Sequence, residues 1–200
     1  MPSNKYWNDR YLNDDIGWDI GEISRPIKHW LDNYKKKNKK ILIPGGGSGF
    51  EAGYAYEKGF KNTYYLDFSK VAVNKFKKTF PSFPETQIIS KNFFSLSDFN
   101  GFFDIIIEQT FFCAIQPSMR LRYVNKIYDL LQKNGIVIGL LFNLEFKKDT
   151  PPFGGTKKDY KLIFEPKFNV IKMEKCINSI APRAKNELWF CLNKKDKILL

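Results

Sequence analysis

Apolar residues fall along the chain in two patterns. The runs ILI at 41–43, III at 105–107 and IVI at 136–138 are short and continuous. Strands buried on both faces of a parallel sheet read this way. Between them, apolar residues recur every three or four positions, the spacing of one helix face. The pattern predicts helices over 4–12 and 24–34, the second with Pro26 near its start, where a missing N–H is harmless. Strands follow at 39–43 and 62–67, with a helix between them over 50–59 that ends at Gly59. An amphipathic helix over 69–80 carries Ser69 as its cap and Pro81 as its stop. Strands at 86–90 and 102–109 lead to a helix over 117–135, capped by Ser118 and terminated by Gly135. A strand at 136–142, a Pro- and Gly-rich loop and a short helix near 157–164 come next. Segments 168–176 and 187–194 alternate, and read as a closing antiparallel pair. Strands alternating with helices give an α/β fold with a mainly parallel sheet.

Length and composition narrow this picture without changing it. The 200 residues read as a single domain, and 43% hydrophobic content suits a globular chain. The N-terminus lacks an apolar signal core and no run is long enough to cross a bilayer, so a cytoplasmic protein without a membrane partner is expected. Cys113, Cys176 and Cys191 are far apart, with no C-x-x-C pair, and His29 is the only histidine. A zinc site, a disulfide framework and a histidine metal centre are therefore not expected, and His29 reads as structural. The net charge of +12 raises nucleic acid as a partner. Its densest cluster, KKKNKK at 35–40, sits in a solvated loop and alternates with no aromatics, so the charge reads as composition.

Candidate chemistry begins at ILIPGGGSGF (41–50), where a strand runs into Gly45, Gly46, Gly47 and Gly49 and then into a helix. A phosphate loop is disfavoured, since no Lys-Ser or Lys-Thr follows at the required spacing. Gly47, Gly49 and Ala52 fit the looser dinucleotide pattern, while Gly45, Gly47 and Gly49 fit the G-x-G-x-G form of S-adenosylmethionine-binding methyltransferases. Asp67, ending the second strand, suits two ribose hydroxyls in either class. Asn92 with Phe93 or Phe94 suits an adenine ring. The glycines alone leave an NAD(P)-dependent oxidoreductase open, and the charge leaves open a basic nucleic-acid-binding module.

The stretch FDIIIEQTFFCAIQPSMRLRYVNKIYDLLQKNG (103–135) closely resembles the thiopurine methyltransferase superfamily, most nearly its thiol and halide methyltransferase branch. YWNDRY (6–11), GWDIGEISRP (17–26), TPPFGG (150–155) and NSIAPRAKNELWF (178–190) agree in order. The resemblance implies a Rossmann-like class I methyltransferase with a seven-stranded, mostly parallel sheet flanked by helices. Residues 1–38 would form a helical lid, and 39–200 the core. It implies S-adenosylmethionine as cofactor, S-adenosylhomocysteine as product and no metal. The cofactor would lie on Trp7, Tyr11, Trp18, Pro44, Gly45, Gly47, Asp67, Phe68, Asn92, Phe93, Glu108 and Gln109. A small acceptor, a thiol or hydrosulfide sulfur, would meet Gln109, Phe142 and Arg183 within a pocket of Trp18, Phe111, Phe112 and Phe153. Halide, thiopurine and tellurite-type metalloid acceptors are the alternatives. Gln109 and Phe142 stand where the plant-like members commonly have tyrosine. A monomer or weak homodimer is expected.

Overall fold

The computed structural model describes residues 3–196. Its centre is a seven-stranded sheet in the order β3-β2-β1-β4-β5-β7-β6. The strands are β1 (Ile41–Pro44), β2 (Thr63–Leu66), β3 (Ile88–Ile89), β4 (Phe103–Glu108), β5 (Leu131–Phe142), β6 (Phe168–Lys175) and β7 (Glu187–Lys194). β7 runs antiparallel to both neighbours, and all other pairings are parallel. The strand order reverses between β1 and β4. In open α/β sheets, ligands bind beyond the carboxyl ends of the strands at such a point.

Strand periodicity divides the core between the two faces. Leu42, Leu66 and Ile106 point toward α5 (Arg120–Leu130) and α6 (Lys157–Phe164), where Tyr123, Ile127, Tyr160 and Phe164 are buried. Ile41, Ile43, Ile105 and Ile107 point the other way, toward α2 (Arg25–Asn33), α3 (Phe50–Glu57) and α4 (Lys70–Thr79). Each such side chain contributes about 1.5–3 kcal/mol by leaving water. Ser69 caps α4 by accepting from Ala72 N at 3.2 Å, and a Thr156–Asp159 capping box starts α6. α1 (Asn4–Leu12) has no buried residue and lies against the α4 side of the sheet's carboxyl end.

One predicted boundary is wrong. α5 ends at Leu130, not Gly135, and Ser118 lies in a single 3-10 turn without capping the helix. Leu131 is fully buried and pairs with Phe103, so the chain must already be extended there. Pairing resumes at Ile105 with Ile136, and the intervening residues bulge out through Asn134 at φ 61°. Gly135 therefore lies within an irregular part of β5 and does not end a helix.

Candidate active site

A cavity of about 550 Å³ opens at the carboxyl ends of β1, β2, β4 and β5. That volume is within the range of pockets that enclose a single small-molecule ligand. Its floor is the loop Gly45–Gly49. The glycines there answer mainly to the protein's own rings. A Cβ on Gly45 would run into the ring of Phe111, one on Gly46 would lie 2.6 Å from Tyr65 Cε2, and one on Gly49 would enter the Phe76 ring. Tyr65 and Phe76 stack with centroids 4.0 Å apart, and Tyr65 Oη donates to Gly47 O at 2.7 Å. Gly45, Gly47 and Gly49 have φ of +59°, +54° and +80°, which side chains resist. Only at Gly47 would a Cβ meet the covering segment, at the hydroxyl of Tyr11.

Asp67 follows β2 and faces this loop. Its carboxylate accepts from Gly47 N at 3.0 Å and Ser69 N at 2.8 Å. Burial nevertheless pushes its carboxyl up to about 6 against those bonds. Two lone-pair positions remain, enough for a pair of hydroxyls. Phe68 and Phe93 line the cavity beside it. Two expected contacts are displaced. Pro44 is the buried last residue of β1 and is not on the wall. Asn92 is exposed and spends its side chain accepting from Phe94 N at 2.9 Å, while Lys91 and Phe93 take the wall on either side of it.

The turn after β4 is clamped from within. Glu108, 1% exposed, accepts from Phe111 N at 2.8 Å, Phe112 N at 2.7 Å and Tyr123 Oη at 2.8 Å. Burial pushes its carboxyl up to about 7. The expected contact of Glu108 with a cofactor is therefore corrected. Its carboxylate is committed to the turn and does not reach the cavity wall. Thr110 sits at φ 57°, an outlier for a β-branched residue. That kink sends Gln109 and Phe111 to the cavity and Phe112 away from it. Phe112, 1% exposed, packs on Tyr123, Tyr160 and Phe164, so it belongs to the core and not to an acceptor pocket. Cys113 lines the cavity; burial pushes its thiol up to about 12, and it donates to Thr110 O at 3.2 Å.

The cover comes from α1 and the segment after it. Trp18 meets Trp7 and Tyr11 edge to face, with centroids 5.3 and 5.8 Å apart, and all three line the cavity. The cover is tied down over the floor. Asn4 Nδ2 donates to Phe68 O, Ser69 Oγ to Asn8 Oδ1 at 2.7 Å and Ser48 Oγ to Asp19. Arg183, 9% exposed, donates to Trp18 O at 2.6 Å and lies 3.7 Å from Glu187. Its guanidinium is 5.9 Å from the ring centre of Phe142, and both side chains are on the wall. Phe153 is not. Its N–H donates to Cys113 O and its carbonyl accepts from Arg120, so the neighbouring Pro151 and Pro152 form that part of the wall instead.

Arg10, Asp19, Ile20, Ser48, Leu144 and Phe146 also line the cavity and were not anticipated. For Arg10, Asp19 and Ser48 a signal was available: each lies within a motif already singled out. Leu144 and Phe146 follow β5 in a loop with no periodicity to read. His29 is exposed on α2. Among the described residues no group of three or more His, Cys, Asp or Glu side chains is placed to hold a metal.

Comparison with known proteins follows the geometry. The family described as Thiopurine S-methyltransferase (TPMT) matches residues 3–199. A protein of Arabidopsis thaliana named probable thiol methyltransferase 2 is 29% identical over 152 residues, covering 74% of this chain and 66% of that one, just under two thirds of its length. Thiocyanate methyltransferase 1 of Brassica oleracea is 28% identical over 174 residues, covering 85% and 76%. Among solved structures, the 1,6-didemethyltoxoflavin-N1-methyltransferase of Burkholderia thailandensis, with bound S-adenosylhomocysteine, superposes with a TM-score of 0.80 at 16% identity. It covers 96% of this chain and 87% of that one. A TehB-like S-adenosylmethionine-dependent methyltransferase from Corynebacterium glutamicum gives a TM-score of 0.66 at 16% identity, covering 96% and 98%.

Proposed function

The chain belongs to the thiopurine S-methyltransferase family, and from that premise we propose that it transfers a methyl group from S-adenosylmethionine to a small, soft sulfur nucleophile, a thiol or hydrosulfide. One observation carries the reading. A single cavity joins the glycine loop and Asp67 to an aromatic chamber closed by Trp7, Tyr11 and Trp18.

The residues fit the cofactor. Gly47 and Asp67 would hold the ribose, with Phe68 and Phe93 beside the adenine. Bound S-adenosylmethionine supplies a methyl group already activated by its sulfonium charge. Trp7, Tyr11 and Trp18 would exclude water, and a ring face turned to that charge would attract it. Phe111 and Phe142 give the acceptor a polarizable, apolar wall. Arg183 holds a thiolate by its charge, in a place where burial has already been compensated by Glu187. A thiolate arrives deprotonated, so the site needs only to align it with the methyl carbon. The nearby Cys113 thiol stays neutral at pH 7 and does not compete as a nucleophile.

We place the reaction in the cytoplasm, on a small molecule and not on nucleic acid, in a monomer or weak homodimer. Free Cys113, Cys176 and Cys191 are in keeping with a reducing compartment. No described helix is long and apolar enough to cross a membrane.

Calorimetry with S-adenosylhomocysteine tests the class; absence of binding sinks it, most clearly if NAD(P) protects the protein against heat instead. An acceptor panel of small thiols, sulfide, thiocyanate, halide, a thiopurine and tellurite, with headspace detection of methylated products, tests the acceptor. Methyl sulfides should dominate. A methyl halide as the main product would overturn the sulfur assignment.

A further inference from the structure

We propose that Arg10 is a positioning residue for methyl transfer: it sets the indole of Trp18 over the cavity and acts on the reaction through that ring. This rests on reading the cavity as a methyl-transfer site. Arg10 lines the cavity, and its guanidinium carbon lies over the Trp18 ring, 4.8 Å from the ring centre. Among aromatic rings indole attracts a cation best, and a guanidinium brings a plane to it as well as a charge.

Trp18 needs such a partner. Its aromatic neighbours Trp7 and Tyr11 meet it nearly at right angles, with interplanar angles of 82° and 83°. Both belong to α1, which has no buried residue. The Trp18 carbonyl accepts from Arg183 at 2.6 Å, which ties its backbone to the body of the protein but does not choose a rotamer for the indole. Arg10 supplies the contact on the ring itself, so Trp18 is pinned from the core at its backbone and from the cover at its side chain.

The guanidinium is itself held from three sides. Nε donates to Asp15 O at 2.9 Å, Nη2 to Asp15 Oδ1 at 3.1 Å and Nη1 to Tyr6 Oη at 3.0 Å. Asp15 N returns a bond to Arg10 O at 2.9 Å, and the chain turns between them through Asp14 at φ 52°. One side chain thereby joins α1, the turn after it and the ring that follows. Bonds in several directions fix the guanidinium plane, and a fixed plane restrains the ring beneath it. Folding stability does not explain the arrangement. The Asp15 side chain is 65% exposed, and an ion pair so open to water contributes little. Charge alone does not explain it either, since Lys91 and Lys148 already bring ammonium groups to the same wall. What Arg10 adds is the plane and the fork.

The test is a double-mutant cycle on the full chain, with hydrosulfide and thiophenol as methyl acceptors. Arg10→Met should lower kcat about two- to thirty-fold, the range of one cation–π contact, with the KM of the thiol little changed. Arg10→Lys, which keeps the charge without plane or fork, should fall with Arg10→Met. In a Trp18→Leu background the same Arg10→Met change should alter kcat by less than about twofold, because the ring it acts through is gone. Fluorine NMR of the 5-fluorotryptophan protein reads the ring directly and needs no ligand. Arg10→Met should shift or broaden the Trp18 line and leave those of Trp30 and Trp189 in place, which also shows the fold intact. The proposal is overturned if Arg10→Met keeps parental kcat, if Arg10→Lys restores it, if the loss is as large without Trp18, or if the Trp18 line does not move. A parent that methylates no acceptor removes the reading of the cavity and the catalytic role with it; the spectrum tells that failure apart from an Arg10 that does not hold the ring.

Discussion

Glu108 holds the turn that shapes the cavity, and its removal should be costly in a predictable way. With Glu108→Leu, the N–H groups of Phe111 and Phe112 and the hydroxyl of Tyr123 lose their acceptor. Each buried orphan costs about 1–3 kcal/mol, and release of a buried charge returns part of the sum, leaving a loss of about 3–6 kcal/mol. Glu108→Gln keeps an oxygen for the two N–H groups and turns its amine to the tyrosine oxygen. At pH 5 the parent carboxyl is itself neutral, so this exchange should cost less than about 1 kcal/mol. The parent also carries a pH signature. Its Glu108 carboxyl titrates near 7 in the fold against an ordinary 4.5. Between those values the native state holds a proton that the unfolded chain has released. The stability from this group is therefore complete below 4.5 and lost as pH rises through 7. The glutamine variant lacks that slope, so it should run from near parity with the parent at pH 5 to greater stability than the parent at pH 7.5. Urea unfolding followed by tryptophan fluorescence measures all three proteins. A leucine variant within 1 kcal/mol of the parent, against the cost of about 3–6 argued above, or a parent–glutamine gap that does not move with pH, would refute the clamp.

Two further outcomes follow from the floor of the cavity. If the Asp67 carboxylate holds ribose hydroxyls, S-adenosylhomocysteine affinity should be flat above pH 6 and fall about tenfold per pH unit below it. Asp67→Asn should bind weakly with no such slope, and an unchanged slope in that variant would assign the titration elsewhere. Gly49→Ala meets both a φ of +80° and the Phe76 ring, and should cost about 2–5 kcal/mol in thermal or urea unfolding. Gly59→Ala, at φ +92° with nothing within 4 Å, should cost only about 1–2 kcal/mol of backbone strain. Equal losses would mean that ring contact is irrelevant.

The sheet and most helices were legible because burial on two faces leaves continuous apolar runs, and helix faces leave a 3.6-residue period. The end of α5 was not. Asn134 and Gly135 look like a helix terminator, yet the burial of Leu131 against Phe103 forces extension earlier, and no local signal reports a partner on another strand. The cavity was half legible. Trp7, Tyr11, Trp18, Gly45, Gly47, Asp67 and Gln109 are all on its wall. Phe111 and Phe112 are adjacent and chemically alike, and which one faces the cavity depends on the φ of Thr110. That is a tertiary fact, set by what Glu108 can reach. Phe153 was misplaced for a related reason: its backbone is spent on Cys113 and Arg120, which leaves the wall to the prolines before it.

The stacked rings beneath the glycine loop limit how this protein can be redesigned. Gly46 with Tyr65, and Gly49 with Phe76, divide a fixed volume between loop and floor. At position 46 the division is negotiable, because φ is ordinary there. Gly46→Ala paired with a smaller residue at 65 keeps the total constant and gives up the hydroxyl bond to Gly47 O. At position 49 it is not, since emptying the Phe76 site leaves the left-handed backbone in place. The contour that a ligand meets can thus be recut at one end of the loop only, and a library that varies 46 without 65, or 49 at all, samples mostly destabilised chains.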